Sequence, residues 1–183
     1  MIRAWHFLNG DKLRDGTTAP PNGKWLKYAG APVMCETGLH ASIDPFDALR
    51  HAPGNTLCLV DCAGTVIHAS DKLVCTERRI VVRMDAEQML RYFARQQALS
   101  VIHLYPGEPE QCVLDFLMGD DAEWSAEWDA AWAEARAAAK AAAWAAAWSA
   151  AKSAERAAAW AAAWSAAWDD FNALVNDAFA DWL

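Results

Sequence analysis

The chain has no glycine and no proline after Gly119, so residues 120–183 lack the usual turn and breaker chemistry. It also has no long apolar run. The longest uncharged stretches of that region, Ala141–Ala151 and Ala157–Trp168, fall well short of the roughly 20 residues a membrane-spanning helix needs. No apolar run of the secretory type follows Met1-Ile2-Arg3-Ala4-Trp5-His6, and a soluble, cytoplasmic protein is expected. The five cysteines are an odd number and lack metal-type pairing. Cys58, Val60 and Cys62 share one face if their segment is a strand, which suits small buried hydrophobes, so no metal site is expected. There is no phosphate-binding glycine loop, dinucleotide fingerprint, metal-type His/Glu pair or nucleophile elbow. These absences exclude much and name no reaction.

Charge is unevenly placed. The net charge is -8, and residues 120–183 hold eleven acidic against four basic side chains, while residues 1–119 are nearly balanced. An acidic segment repels phosphate backbones and anionic lipid heads. Nucleic acid and membrane surfaces are therefore not expected partners of that segment, whereas a basic protein surface, such as that of a host protein, fits it.

What the chain does have is a four-residue beat of large side chains set in alanine. Trp124, Trp128, Trp132, Arg136, Lys140, Trp144, Trp148, Lys152, Arg156, Trp160, Trp164 and Trp168 are each four apart. The series is a palindrome about Ala146, and an eleven-residue Ala/Trp unit starts at both Ala141 and Ala157. Asp120 with Glu123 is a capping-box-like start for a long helix. Four residues turn a helix by roughly 400°, so the stripe moves about 40° per step and circles it in about 36 residues. A two-stranded coiled coil, with a pitch near about 150 Å, does not follow such a stripe. A helix that is apolar all round is one that becomes buried, in a multi-helix assembly or by breaking near Ser149–Ser153.

The first part of the chain reads differently. Ile2–Leu8 is a strand ended by Asn9-Gly10, a hairpin-type turn pair. Trp25–Tyr28 and Pro32–Cys35 are short extended segments, and Asp44-Pro45 suits a helix start. Thr56–Cys62, Thr65–His68 and Arg79–Arg83 read as strands, the first two flanking Ala63-Gly64. Asp85 is placed to cap a helix running to about Leu104, and a short helix follows from Glu108 to Met118. The expected fold class is α+β: a small β-rich domain over 1–84, a helical connector over 85–119, and a long Ala/Trp-rich helical assembly segment over 120–183. A chain ending near Gly119 is expected to fold without that segment.

Ala4-Trp5-His6-Phe7, Leu13-Arg14-Asp15-Gly16, Gly38-Leu39-His40-Ala41-Ser42, Ala52-Pro53-Gly54 and Asp71-Lys72-Leu73-Val74 resemble an uncharacterised bacterial and phage domain family. Members of that family often carry alanine-rich tails with interspersed tryptophan or arginine. The resemblance implies no assigned activity. A second resemblance is to ADP-ribosyltransferases of the poly(ADP-ribose) polymerase type. It implies NAD as cofactor, with His6 matching the ribose-binding histidine, His40 standing where that family has a nicotinamide-stacking tyrosine, and Glu77 matching the catalytic glutamate. Read without the resemblance, His6 is strand-face packing, His40 a turn residue and Glu77 a surface charge, and the three are expected to be scattered.

The sequence therefore favours a non-enzymatic, homo-oligomeric interaction protein without cofactor, of phage or prophage type, over an NAD-dependent transferase. Its expected partner-binding residues are Trp124, Trp128, Trp132, Trp144, Trp148, Trp160, Trp164 and Trp168. Truncating a buried Trp to Ala costs about 3–5 kcal/mol, so replacing Trp144 and Trp148 together is expected to lower the assembled mass seen by light scattering. An unchanged mass, or a monomer throughout the micromolar range, would count against self-association.

Overall fold

The computed structural model describes residues 1–104, 107–119 and 154–183. Trp124, Trp128, Trp132, Trp144 and Trp148 lie outside the described residues, as does the side chain of Trp160. Five strands form one antiparallel sheet: β1 (Ile2–Leu8), β2 (Trp25–Lys27), β3 (Leu39–Ala41), β4 (Thr56–His68) and β5 (Leu73–Asp85). The spatial order is β1-β4-β5-β2, with β3 pairing beside β2 on β5. The helices described are α1 (Pro45–Leu49), α2 (Glu87–Ser100), α3 (Gln111–Met118) and α4 (Ala154–Ala178). The fold is thus mixed α+β.

The sheet curls on itself. Ser42, next after β3, exchanges both backbone hydrogen bonds with Trp5 of β1, at 2.7 and 2.9 Å. A ring β1-β4-β5-β3 results, and strand alternation sends one set of side chains to each face. The inner set is mostly small: Ala4, Ala41, Cys58, Val60, Cys62 and Cys75 pack with Leu8, Leu73 and Ile80. Cys58 and Cys62 are buried as small hydrophobes, as the sequence implied, and Cys75 is buried with them; burial pushes the Cys58 thiol up to about 11.

β4 runs unbroken through Ala63-Gly64, where two separate strands were expected. The pair is an irregularity in the β4–β5 ladder, whose register shifts between Ala63 and Val66. Gly64 has φ 73°, and a Cβ there would lie 2.1 Å from the Thr76 hydroxyl, so this bend needs glycine. Pro32–Cys35 is likewise not extended. Val33 and Thr37 close a tight turn with Cys35 at φ 65°, a left-handed conformation that side-chain-bearing residues rarely adopt.

The chain divides into two compact units. One joins Met1–Tyr92 to Trp168–Leu183; the other is Phe93–Ala167. Within the second, Arg95 ties α2 to the end of α3, donating to the Gly119 carbonyl at 2.7 Å with its guanidinium over the Phe116 ring. Asp85 accepts a hydrogen bond from the Glu87 N–H at 2.9 Å, so α2 starts where its cap was expected, and it ends at Ser100 rather than Leu104.

The sequence reading kept 120–183 apart from the β-rich domain, with a boundary at residue 84. The last turns of α4 instead belong to the first unit. Phe171, Val175 and Phe179, four apart, are fully buried there. Phe179 meets the Trp5 ring edge-on at 5.0 Å, and Phe171 meets Phe46 at 5.9 Å. Asn172 occupies the place after Trp168 in the four-residue beat. Its Oδ1 accepts the Phe46 N–H at 2.9 Å, supplying the cap that Asp44, at the start of α1, does not make with its own side chain. Arg3 also donates to the Trp182 carbonyl.

This burial changes the expected outcome of truncation. Removing residues 168–183 exposes Trp5 and Phe46 and uncaps α1. A chain ending at Gly119 is expected to be loosened or aggregated rather than independently folded, and Phe179→Ala alone is expected to cost about 3–5 kcal/mol. Urea unfolding followed by circular dichroism measures both. A truncated chain with an unchanged midpoint would show that the helix end is dispensable.

Candidate functional site

A cleft of about 1040 Å³ opens beside β1, β3 and α1 of the first unit. Arg14, Lys27, Lys72 and Arg78 line it, against only Asp15 and Glu36. A protein of net charge -8 thus carries a locally cationic hollow. Lys27 is partly offset by Glu77 at 3.2 Å and Lys72 by Asp71 at 3.9 Å. His51, at the rim, is held by Asp71 at 3.2 Å.

Arg78 is the deepest of these cations, with only 5% of its surface exposed. Its strand position pairs with Cys62 on one side and Leu26 on the other. The small inner residues leave room for its long arm. Nη1 donates to the His40 carbonyl. Its Nε and Nη2 make no hydrogen bond among the described residues, and no carboxylate lies within ion-pair distance of it. Of the nearby thiols, Cys58 is pushed up by burial, whereas the hydrogen bond with Cys62, and then the Arg78 charge, lower Cys75; Cys75 Sγ also lies 3.3 Å from the Leu39 carbonyl and 3.1 Å from that of Glu77. An isolated buried cation is expensive, and burial pulls the Arg78 guanidinium below its ordinary value. Arginine nevertheless stays charged, and no carboxylate among the described residues pairs with it.

His6 and His40 both line the cleft. The sequence expectation was scatter; the ring closure brings these two together instead, because β1 and β3 become neighbours. Burial holds His6 well below 6.5, with the Arg78 and His40 charges adding to it. His6 therefore stays neutral, and its ring nitrogens have no hydrogen-bond partner among the described residues. His40 accepts the Cys35 N–H on Nε2 at 3.0 Å, so its proton sits on Nδ1 and its ring staples the Val33–Thr37 turn. Burial and Arg78 lower its value too.

Glu77 does not join them. It is absent from the lining of the cleft, and its carboxylate pairs with Lys27, its cross-strand neighbour. Alternation along β5 sends Glu77 and Arg78 to opposite faces. Arg78 itself was missed by the sequence reading. The signal was present: it shares strand parity with Ile80, a core residue, which puts a charge on an inward-facing position. Trp168 is partly buried in the first unit, and Trp164 is 44% exposed in the second. Among the described residues no group of three or more His, Cys, Asp or Glu side chains is arranged to hold a metal ion, and no helix is long and apolar enough to cross a membrane.

Residues 10–92 match the profile of a domain of unknown function, DUF7666. No curated protein and no solved structure matches the chain. The DUF7666 region contains Arg78, His40 and most of the cleft lining, while His6 and the residues of α4 lie outside the matched span.

The two lowered histidines link stability to pH. In the unfolded chain both titrate near about 6.5; in the folded protein they resist protonation. Below pH 6.5 the unfolded state therefore binds more protons, and stability falls as pH falls, by at most about 1.4 kcal/mol per pH unit for each group. Melting temperatures between pH 7.5 and 5.5 are expected to drop, and His6→Phe is expected to flatten that slope. An identical slope in the variant would show that His6 is not held neutral.

Proposed function

We propose that the first unit is a binding domain for a small anionic ligand, taken up in the cationic cleft with Arg78 as its anchor. The observation that carries this reading is the buried guanidinium whose Nε/Nη2 edge has no partner. That edge is the planar fork that takes a carboxylate or phosphate bidentately, and the resulting charge-assisted pair is about twice as strong as a neutral hydrogen bond. The volume of the cleft is at the upper end of ordinary ligand pockets, about 300–1,000 Å³, and Leu13, Leu26 and Tyr28 give it an apolar wall.

The transferase resemblance assigns the catalytic carboxylate beside the histidines to Glu77. Glu77 does not line the cleft, so binding rather than transfer is the reading we adopt, with no resident cofactor. Self-association through the Ala/Trp segment, in a cytoplasmic and phage-type setting, is our proposal for residues 120–167. It rests on the tryptophan beat, and light scattering tests it separately.

The cleft reading is tested by calorimetry with phenyl phosphate, phenyl sulfate and benzoate as probes. Arg78→Met is expected to weaken binding of any probe that binds by about ten- to hundredfold, as loss of charged hydrogen bonds of about 1.5–3 kcal/mol implies. The same variant is expected to be as stable as the parent or more so, because a buried unpaired cation is replaced by an apolar chain of similar length. Binding that survives Arg78→Met would overturn the assignment of the anchor. Failure of all three probes to bind the parent protein would overturn the anionic-ligand reading.

A further inference from the structure

We infer that Cys62 and Cys75 are a redox dithiol, a modification site behind the cleft wall that hydrogen peroxide closes to a disulfide. Its chemistry is independent of what the cleft binds. The β4–β5 register brings the two thiols together. Ala63 pairs with Glu77 and Val66 with Cys75, so Gly64 and Thr65 of β4 face Thr76 alone. One extra residue on one strand is a β-bulge, and a bulge re-aims side chains. Cys62 and Arg78 are directly paired across the ladder. Cys75 lies three residues from Arg78, and plain alternation would send it to the opposite face. The bend at Gly64 returns it to the inner face, where it is fully buried in one cluster with Cys62 and Leu73.

The two thiols are free and hydrogen-bonded to each other, with Cys62 the donor. At rest, Cys75 turns its own proton to the Leu39 carbonyl at 3.3 Å or the Glu77 carbonyl at 3.1 Å, so its sulfur stays open to the Cys62 S–H. The shared bond raises Cys62, and burial adds to the rise. The same bond lowers Cys75 against the effect of burial, helped by Arg78 and by the backbone of Ala63 and Glu77. Cys75 is therefore the sulfur that ionises first, and the thiolate is the nucleophile. Cys58 contacts the Thr56 carbonyl of its own strand at 3.9 Å and stands outside the pair.

The Cys75 thiolate attacks one oxygen of the peroxide. An S–O bond forms, the O–O bond breaks, and the departing hydroxide takes up the proton that Cys75 released and leaves as water. Cys62 then attacks the sulfur of the Cys75 sulfenic acid. The S–S bond forms, the S–O bond breaks, and hydroxide leaves as a second water with the Cys62 proton. The two thiols lose two electrons, and the peroxide gains them. Cys75 lies directly behind the cleft wall, because Leu39, whose carbonyl it touches, and Arg78 both line the cleft. Full burial of both thiols favours an oxidant as small as hydrogen peroxide, which reaches them when the short strand β3 shifts.

In the full chain, Cys35→Ser with Cys112→Ser removes the exposed thiols and leaves Cys58, Cys62 and Cys75. Treated with hydrogen peroxide and then denatured, this variant is expected to lose two of its three thiols and the mass of two hydrogen atoms. Peptide mapping is expected to link Cys62 to Cys75, and dithiothreitol to restore both thiols. With Cys62→Ala added, oxidation is expected to stop at a sulfenic acid on Cys75, trapped by dimedone. With Cys75→Ala added instead, both remaining thiols are expected to survive, a difference that loosened packing alone would not produce. Three thiols surviving peroxide, or a link that maps to Cys58, would overturn the pairing. So would the same link formed in equal yield in urea, where the bulge is lost. A dimedone adduct on Cys58 rather than Cys75 would overturn Cys75 as the attacking sulfur.

Discussion

The two backbone hydrogen bonds between Trp5 and Ser42 turn an open sheet into a ring, and the rest of the first unit is arranged around that closure. Without it, β1 and β3 would lie at different places in the sheet, and His6 would have no reason to share a hollow with His40. With it, β1 has two distinct faces. His6 and Ala4 look inward towards the arm of Arg78, and Trp5 looks outward to Phe179. A single strand thus joins the cleft to the helical clasp formed by residues 168–183. Its outer row also carries Arg3, Asp61 and Arg79, matched across three adjacent strands, with the fully buried Asp61 carboxylate bonded to both guanidinium groups at 2.8–2.9 Å.

That row makes an informative contrast with Arg78. Both arrangements put charge where water is scarce, but Asp61 has two cationic partners and no carboxylate pairs with Arg78. Burial of an ion is tolerated when hydrogen bonds and opposite charge replace its hydration. The Asp61 group meets that condition within the protein. Arg78 meets it only partly, through the His40 carbonyl. The difference separates a structural pair from a group whose complement comes from outside.

Local signals in the sequence were good guides to local structure. Ile2–Leu8, the Asp44-Pro45 helix start, the Asp85 cap and the stop at Gly119 all follow from turn, cap and alternation chemistry. The misreadings share one cause: each needs a partner distant in sequence. Ala63-Gly64 looks like a turn until Thr76 lies beside it on β5. Phe171, Val175 and Phe179 look like a continuation of an assembly helix until Trp5 and Phe46 are placed against two of them. The cleft is the extreme case. Arg78, His6 and His40 come from three strands, and no spacing along the chain announces that a ring will bring them together. Glu77, adjacent to Arg78 in sequence, is separated from that group by nothing more than strand alternation.

The return of α4 to the first unit makes residues 93–167 an insertion between two anchored ends rather than a tail. The entropy of closing such a loop grows only with the logarithm of its length. Treated as a free chain, doubling it adds only about 0.6 kcal/mol. Duplication or loss of an Ala/Trp unit such as those at Ala141 and Ala157 therefore barely disturbs the ring and its cleft. The repeat is free to drift in length over evolutionary time, while Trp5, Phe46 and Phe179 hold the two ends of the first unit in register.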